Sequence, residues 1–369
     1  MTTLRHNDIW RRDFDISTSL YNDISIRKWR PANIAVAFLL AAVVLTACGG
    51  SDIIDDNNNA DAPKPLATSN EEIRITSNVY RILEGTRTTT YENVSDLQEE
   101  AHLTCMAYEA DSDPLVSYIP STSVDWDSGD TRWEFNRGDN HYYWPLPATN
   151  GGAWPSLDFF GYMPATPPSY ITSGPTYSAD HNVTFTCEDL PMTNAGQGSS
   201  LKEFMFGMAL DQNYGNAAAG VPLNFQHPFA RIKLQLAASH PNITINSITF
   251  KDLKTGGVFL YNGSTSTWSS LTPVGTEDFV LTLAGDAAIF DNNPTSEKQI
   301  GDYYIMIPQD WAGEIVVNVN CLFWGEKKNY PSLTTTVPTT WQPGYSYTYT
   351  FNISPNDLIV NVSKFTEQW

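Results

Sequence analysis

The chain has 369 residues, with 21 Lys and Arg against 41 Asp and Glu and a net charge of −20 at neutral pH. A surface this acidic repels phosphate backbones and anionic bilayers, which excludes nucleic acid and polybasic lipid recognition. Aromatic residues make up 12% of the chain and favour strands, while 23 Gly and 23 Pro keep those strands short.

In chain order, residues 1–27 are polar, without a helical or strand period, and are set aside from the fold. Lys28 and Arg30 then precede an apolar run over residues 34–48. That run is too short to cross a hydrocarbon core of ~30 Å as a relaxed helix. With basic residues ahead of it and small residues at its exit, it reads as the h-region of a secretory signal. The exit, Leu45-Thr46-Ala47-Cys48, resembles the bacterial lipobox. That resemblance implies cleavage just before Cys48 and a diacylglyceryl group on its thiol. Residues 49–70, rich in Asp, Asn, Ala and Pro, read as a flexible acidic tether. The Ser-Asp and acidic cluster behind Cys48 also resembles the surface-export signal of Bacteroidetes lipoproteins. From Cys48 onward the chain carries 15 basic and 37 acidic residues and is long enough for two cores.

Residues 73–82 alternate imperfectly and read as a strand; residues 83–90 read as a polar turn exposing Arg87. Residues 102–108 form a strand with Leu103, Cys105 and Ala107 on one side. Residues 131–135 and 141–144 flank Asn136-Arg137-Gly138-Asp139-Asn140, a hairpin signal. Residues 157–162 are a continuous apolar strand, and 183–187 and 204–210 follow as shorter ones. The small polar stretch 213–220 reads as a domain joint. Beyond it, residues 221–225, 230–236, 243–250, 279–283, 303–307, 315–321 and 345–353 alternate apolar and polar, as antiparallel strands with one wet face do. Turns recur about every 8–12 residues, the spacing of a sandwich rather than of βαβ units. The expected fold is all-β: two antiparallel β-sandwich domains, 71–220 and 221–369, behind a signal segment (1–48) and a tether (49–70).

The motifs of catalysis are missing from the sequence. It has no GxSxG, HExxH or glycine-rich phosphate loop, and its six His are scattered singly. No enzyme activity and no cofactor are expected. Cys105, Cys187 and Cys321 lack metal-ligand spacing and read as small buried hydrophobes rather than as a disulfide framework. Asp125-Trp126-Asp127-Ser128-Gly129-Asp130 reads as an acidic turn, since the EF-hand spacing is missing. Arg137-Gly138-Asp139 stands where a tight turn needs Gly and Asp.

Three blocks carry more information. They are Tyr142-Tyr143-Trp144-Pro145 with Leu157-Asp158-Phe159-Phe160-Gly161-Tyr162-Met163-Pro164, then Leu223-Asn224-Phe225-Gln226-His227-Pro228-Phe229-Ala230-Arg231-Ile232-Lys233-Leu234, then Trp341-Gln342-Pro343-Gly344-Tyr345-Ser346-Tyr347-Thr348-Tyr349. In this order they resemble the fimbrillin family of Bacteroidales, the subunits of type V pili, although Pro228 stands where the family more often has a small residue. The resemblance implies two tandem transthyretin-like sandwiches and a lipoprotein precursor on the outer membrane surface. It further implies removal of an N-terminal strand by a trypsin-like protease after Arg, and assembly into a fimbrium with neighbouring pilus subunits. A host or bacterial surface ligand would then be the adhesion partner. Carried onto this chain, the strand removed is residues 72–83, and the cut follows Arg87 rather than Arg81. The donor strand is residues 357–369, inserting Leu358, Val360 and Val362; the alternative is that this stretch is a plain last strand of the second sandwich. The rival reading is a stand-alone surface lipoprotein of the same fold that binds glycan by stacking on Trp126, Trp133, Trp154, Trp268 or Trp324.

Overall fold

The computed structural model describes residues 68–79, 98 and 102–368, except for 111, 130–131, 136–140, 198–200, 239–241, 270–275, 292–294, 324–325 and 355–356. Cys48, Arg81 and Arg87 lie outside the described residues. The described chain is all-β, as expected, its strands interrupted by two single 3-10 turns.

The first eleven strands are β1 (Thr68–Glu72), β2 (Ile75–Val79), β3 (His102–Glu109), β4 (Ser117–Asp127), β5 (Arg132–Phe135), β6 (Tyr143–Pro145), β7 (Leu157–Met163), β8 (Ile171–Tyr177), β9 (Val183–Cys187), β10 (Met205–Gln212) and β11 (Val221–Gln226). Seven of them close into a barrel in the order β10-β11-β2-β5-β4-β3-β7. Closure removes the sheet edges that an open sheet would expose. Residues 136–140 lie outside the described residues, and among the described ones the strands flanking them do not pair with each other as a hairpin would require: β5 pairs with β4 and β2, whereas β6 pairs with β1. Trp133 of β5 and Trp144 of β6 are both buried in the barrel core, and that burial overrides the local turn signal.

One wall of the barrel is apolar on both faces. Along β7, Leu157, Phe159 and Met163 enter the barrel core, while Phe160 enters a second core outside it. Met205 and Ala209 of β10 face inward, and Phe206 and Met208 outward; β3 divides Leu103, Cys105 and Ala107 from Met106 in the same way. The period of two along a strand produces this division, and it explains why residues 157–162 are mostly apolar on both faces; the exception, the buried Asp158, accepts from Tyr177 Oη at 3.0 Å and Asp211 N–H at 2.9 Å. Gly161 sits opposite Gly207, and a Cβ at position 161 would meet Leu223 Cδ1 at 2.9 Å. The barrel closes around Leu223 because that position lacks a side chain.

The outer core continues into the remaining strands: β12 (Ala230–Leu236), β13 (Ile243–Lys254), β14 (Gly257–Tyr261), β15 (Ser266–Ser269), β16 (Thr276–Thr282), β17 (Ile289–Phe290), β18 (Lys298–Met306), β19 (Asp310–Trp311), β20 (Glu314–Phe323), β21 (Glu326–Thr336), β22 (Thr339–Thr340), β23 (Tyr345–Ser354) and β24 (Asp357–Gln368). One sheet runs β18-β12-β23-β24, and another runs β16-β13-β20-β21 with β17 beside β13. They meet across shared rings: Phe250 of β13 lies edge-on to Tyr349 of β23 at 5.1 Å, and Phe279 of β16 lies 4.9 Å from Tyr304 of β18. A further sheet, β15-β14-β9-β8, draws strands from both halves of the chain, with Phe185 of β9 stacked on Phe259 of β14 at 4.7 Å. Strand β11 belongs by its hydrogen bonds to the barrel, although residue 221 opens the expected second domain.

Buried polar groups in this outer core are paired closely. Gln197, 2% exposed, reads the backbone of β18: its amide donates to the Ile305 carbonyl (2.9 Å) and accepts from the Ile305 N–H (2.8 Å). Trp341 Nε1 donates to Tyr349 Oη at 2.9 Å. Cys105, Cys187 and Cys321 are free and buried, and burial pushes the Cys321 thiol up to about 11. Burial also pushes the Tyr304 and Tyr349 phenols from 10.0 up to about 12. The unfolded chain therefore releases these protons first. Stability from these two groups is fully present below pH 10.0 and is lost as pH rises through about 12. Urea midpoints measured against pH are expected to fall above this onset, with a shallower fall in Tyr349→Phe.

Candidate functional site

The least enclosed member of the barrel is β2. It lies parallel to β11, with Ile75 opposite Val221 and Val79 opposite Phe225. On its other side a single register pair, Ile75 with Trp133, joins it to β5. Ile73, Ile75 and Ser77 are 2%, 1% and 8% exposed, while Arg74 and Thr76 between them face outward. Three buried positions two residues apart are thus delivered by one short segment. Its other anchors are polar: Val221 N–H donates to the Arg74 carbonyl (2.7 Å), Ile73 N–H to the Tyr142 carbonyl (2.7 Å), and Thr76 Oγ1 to the Val221 carbonyl (3.2 Å). Inside, Trp133 Nε1 donates to Ser77 Oγ at 2.8 Å. Just outside the strand, His141 Nδ1 lies 2.6 Å from Glu72 Oε1.

β2 is thus held in two ways at once, by backbone pairing with β11 and by buried side chains at every second residue.

The expected donor residues lie on the last strand. β24 pairs antiparallel with β23 from Tyr345 opposite Gln368 to Ser354 opposite Asp357, at the edge of its sheet. Val360 is 9% exposed and Val362 packs against the outer core, while Leu358 stands opposite Ile353. β24 is hydrogen-bonded to β23 and to no barrel strand among the described residues.

Of the tryptophans weighed as sugar platforms, Trp133 is 1% exposed, and Trp126 packs edge-on against it at 5.4 Å. Trp268 lies among Phe185, Phe229 and Phe259, with its Nε1 donating to the Pro228 carbonyl at 2.7 Å. Trp154 is 36% exposed and stacks on Tyr214 at 4.0 Å. Trp324 lies outside the described residues. In the acidic turn, Asp125 Oδ1 lies 2.7 Å from His102 Nδ1, and Asp127 Oδ1 accepts from Gly129 N–H at 2.7 Å.

The family model described as fimbrillin-like matches residues 86–369. The chain belongs to the fimbrillin-like family. Among solved structures, it is similar to a protein assigned to cell adhesion from Bacteroides ovatus, with 16% identity over 82% of this chain and 98% of that one, at a TM-score of 0.49. A second protein so assigned, from Bacteroides uniformis, shows 12% identity over 80% and 97%, at 0.47. The tip fimbrial protein Mfa3 from Porphyromonas gingivalis, truncated at its C-terminus, shows 12% identity over 73% and 94%, at 0.41. No curated protein matches the chain.

In this fimbrillin-like chain the three sequence blocks prove to be structural joints. Gly344 takes a left-handed φ of 72° and donates its N–H to the Phe229 carbonyl at 2.8 Å, tying the third block to the second. Tyr347 Oη donates to the Thr340 carbonyl and accepts from Gln342 N–H, both at 2.9 Å. His227 of the second block lies 2.9 Å from Glu203 Oε1, each side chain 1% exposed. The sequence pattern placed Ser77 on the same side as Ile73 and Ile75 without giving it a role, and left Glu203 unremarked. The only signal for Ser77 was a hydroxyl on the buried phase of an otherwise apolar alternation. Ser77→Ala is expected to cost about 1–3 kcal/mol, because Trp133 Nε1 is left buried and unsatisfied. Ile75→Ala is expected to cost about 2–5 kcal/mol. Urea unfolding of the purified chain checks both.

Proposed function

We propose that this protein is a fimbrial structural subunit or tip adhesin, made as a lipoprotein precursor and assembled by strand exchange. The observation that carries the reading is the seat of β2, held along one side by β11 and at a single pair by β5. Cys48 is the lipidation site that brings the precursor to the outer membrane surface, with residues 49–70 as its tether. Cleavage after Arg87 frees residues 72–83, and with them the lipid. A neighbouring subunit then fills the opened groove. Its residues 357–369 offer Leu358, Val360 and Val362 at the same two-residue spacing as Ile73, Ile75 and Ser77. In this reading residues 71–220 and 221–369 are two tandem transthyretin-like units, with β11 completing the barrel of the first. The chemistry is assembly and adhesion, without catalysis or cofactor.

Two measurements test this. Mass spectrometry of the surface form is expected to find Thr88 as the N-terminus of polymerised material and lipidated Cys48 in the precursor. Sedimentation before and after trypsin is expected to show polymers only after the cut. A chain that stays monomeric after clean removal of residues through Arg87 rules out strand exchange. Retained membrane anchoring in Cys48→Ser rules out the lipobox. The alternative, a stand-alone glycan-binding lipoprotein, is favoured by one observation, the exposed Trp154 stacked on Tyr214. Uncleaved, monomeric surface protein would select it.

A further inference from the structure

The second and third sequence blocks meet the β14–β15 hairpin around a depression of about 500 Å³. Its lining includes Tyr261 and Tyr345, Gln226 and Gln342, and Ser264 and Ser266. None of the residues lining it is charged, on a chain whose net charge is −20. Two tyrosines beside amides and hydroxyls are the residue types that bind a sugar: rings cover its C–H faces, and neutral donors and acceptors meet its hydroxyls.

The walls are held before any ligand arrives. Two of them are pinned to the third, at the link between β11 and β12. The hairpin is tied there by Trp268 Nε1 donating to the Pro228 carbonyl at 2.7 Å. The turn ahead of β23 is tied there by Gly344 N–H donating to the Phe229 carbonyl at 2.8 Å. Beneath the link, the buried His227–Glu203 pair fixes its path. The Tyr261 ring lies 5.4 Å from Phe206 of the outer core, and its hydroxyl donates to the Gly263 carbonyl at 3.0 Å. Asn262 Oδ1 accepts from the Ser264 and Thr265 N–H groups at 3.2 and 2.9 Å, which sets the hairpin tip. A site pre-organised in this way binds without a large ordering cost.

We infer that this depression is a binding site for a neutral oligosaccharide, its rings stacking on Tyr261 and Tyr345. The net charge of −20 on the chain disfavours sialylated or sulfated chains. Strand addition by a peptide is disfavoured because β15, the adjoining sheet edge, is only four residues long. The inference rests on the adhesin part of the function proposed above and is independent of strand exchange.

The test titrates the full mature chain against immobilised neutral hexose and N-acetylhexosamine oligosaccharides, their sialylated and sulfated counterparts, and extended peptides. Saturable binding of a neutral oligosaccharide is expected. Tyr261→Ala should weaken it about tenfold, and Ser266→Trp, which fills the depression, should abolish it. Should Tyr261→Ala unfold because its ring packs on Phe206, Gln342→Ala, at an exposed position, carries the same test. Binding only of charged sugars or peptides, binding of no probe, or binding unchanged by Ser266→Trp and Gln342→Ala would overturn the inference. So would a loss of binding confined to Trp154→Ala. A chain that polymerises but binds no sugar leaves the assembly reading standing. Cells whose adhesion survives Ser266→Trp keep the adhesin reading and lose this site.

Discussion

The architecture depends on a wall of three strands, β3, β7 and β10, buried on both faces. Phe159 and Phe160 are adjacent residues, yet they serve different cores. A strand can do this only where both faces are covered, so the barrel on one side and the remaining sheets on the other are each held by the same backbone. Displacing β7 would expose apolar surface in two directions. The two halves of the chain are joined through packed side chains there, and through the sheet in which β9 and β14 pair.

Against that wall, β2 is the counterpoint. With Ile73 just ahead of it, it supplies three buried side chains but has one full neighbour.

Much of the fold was legible. The alternation of residues 221–225 and 183–187 predicted half-buried strands, and both are strands with alternating burial. The run at 157–162, apolar but for Asp158 and Gly161, was a sign of two covered faces. The hairpin around residues 136–140 was misread because turn residues report local geometry, whereas Trp133 and Trp144 answer to the core. Neither parallel pairing, β2 with β11 or β12 with β23, leaves a mark in the sequence, since the partners are far apart along the chain. The candidate site was half legible: the alternation of Ile73 and Ile75 was visible, but the bond from Trp133 to Ser77 joins residues 56 apart.

The sequence by itself determined the strand content, the acidic charge, the family blocks, and the three buried cysteines as small hydrophobes, because each follows from local composition and a period of two. The tertiary structure alone decided which strands pair, that β2 is the weakly enclosed member of a closed barrel, and that Gln226, Tyr261 and Gln342 share one depression. Those properties arise from contacts between distant segments, where burial and hydrogen-bond satisfaction select one arrangement among many that the same local pattern allows.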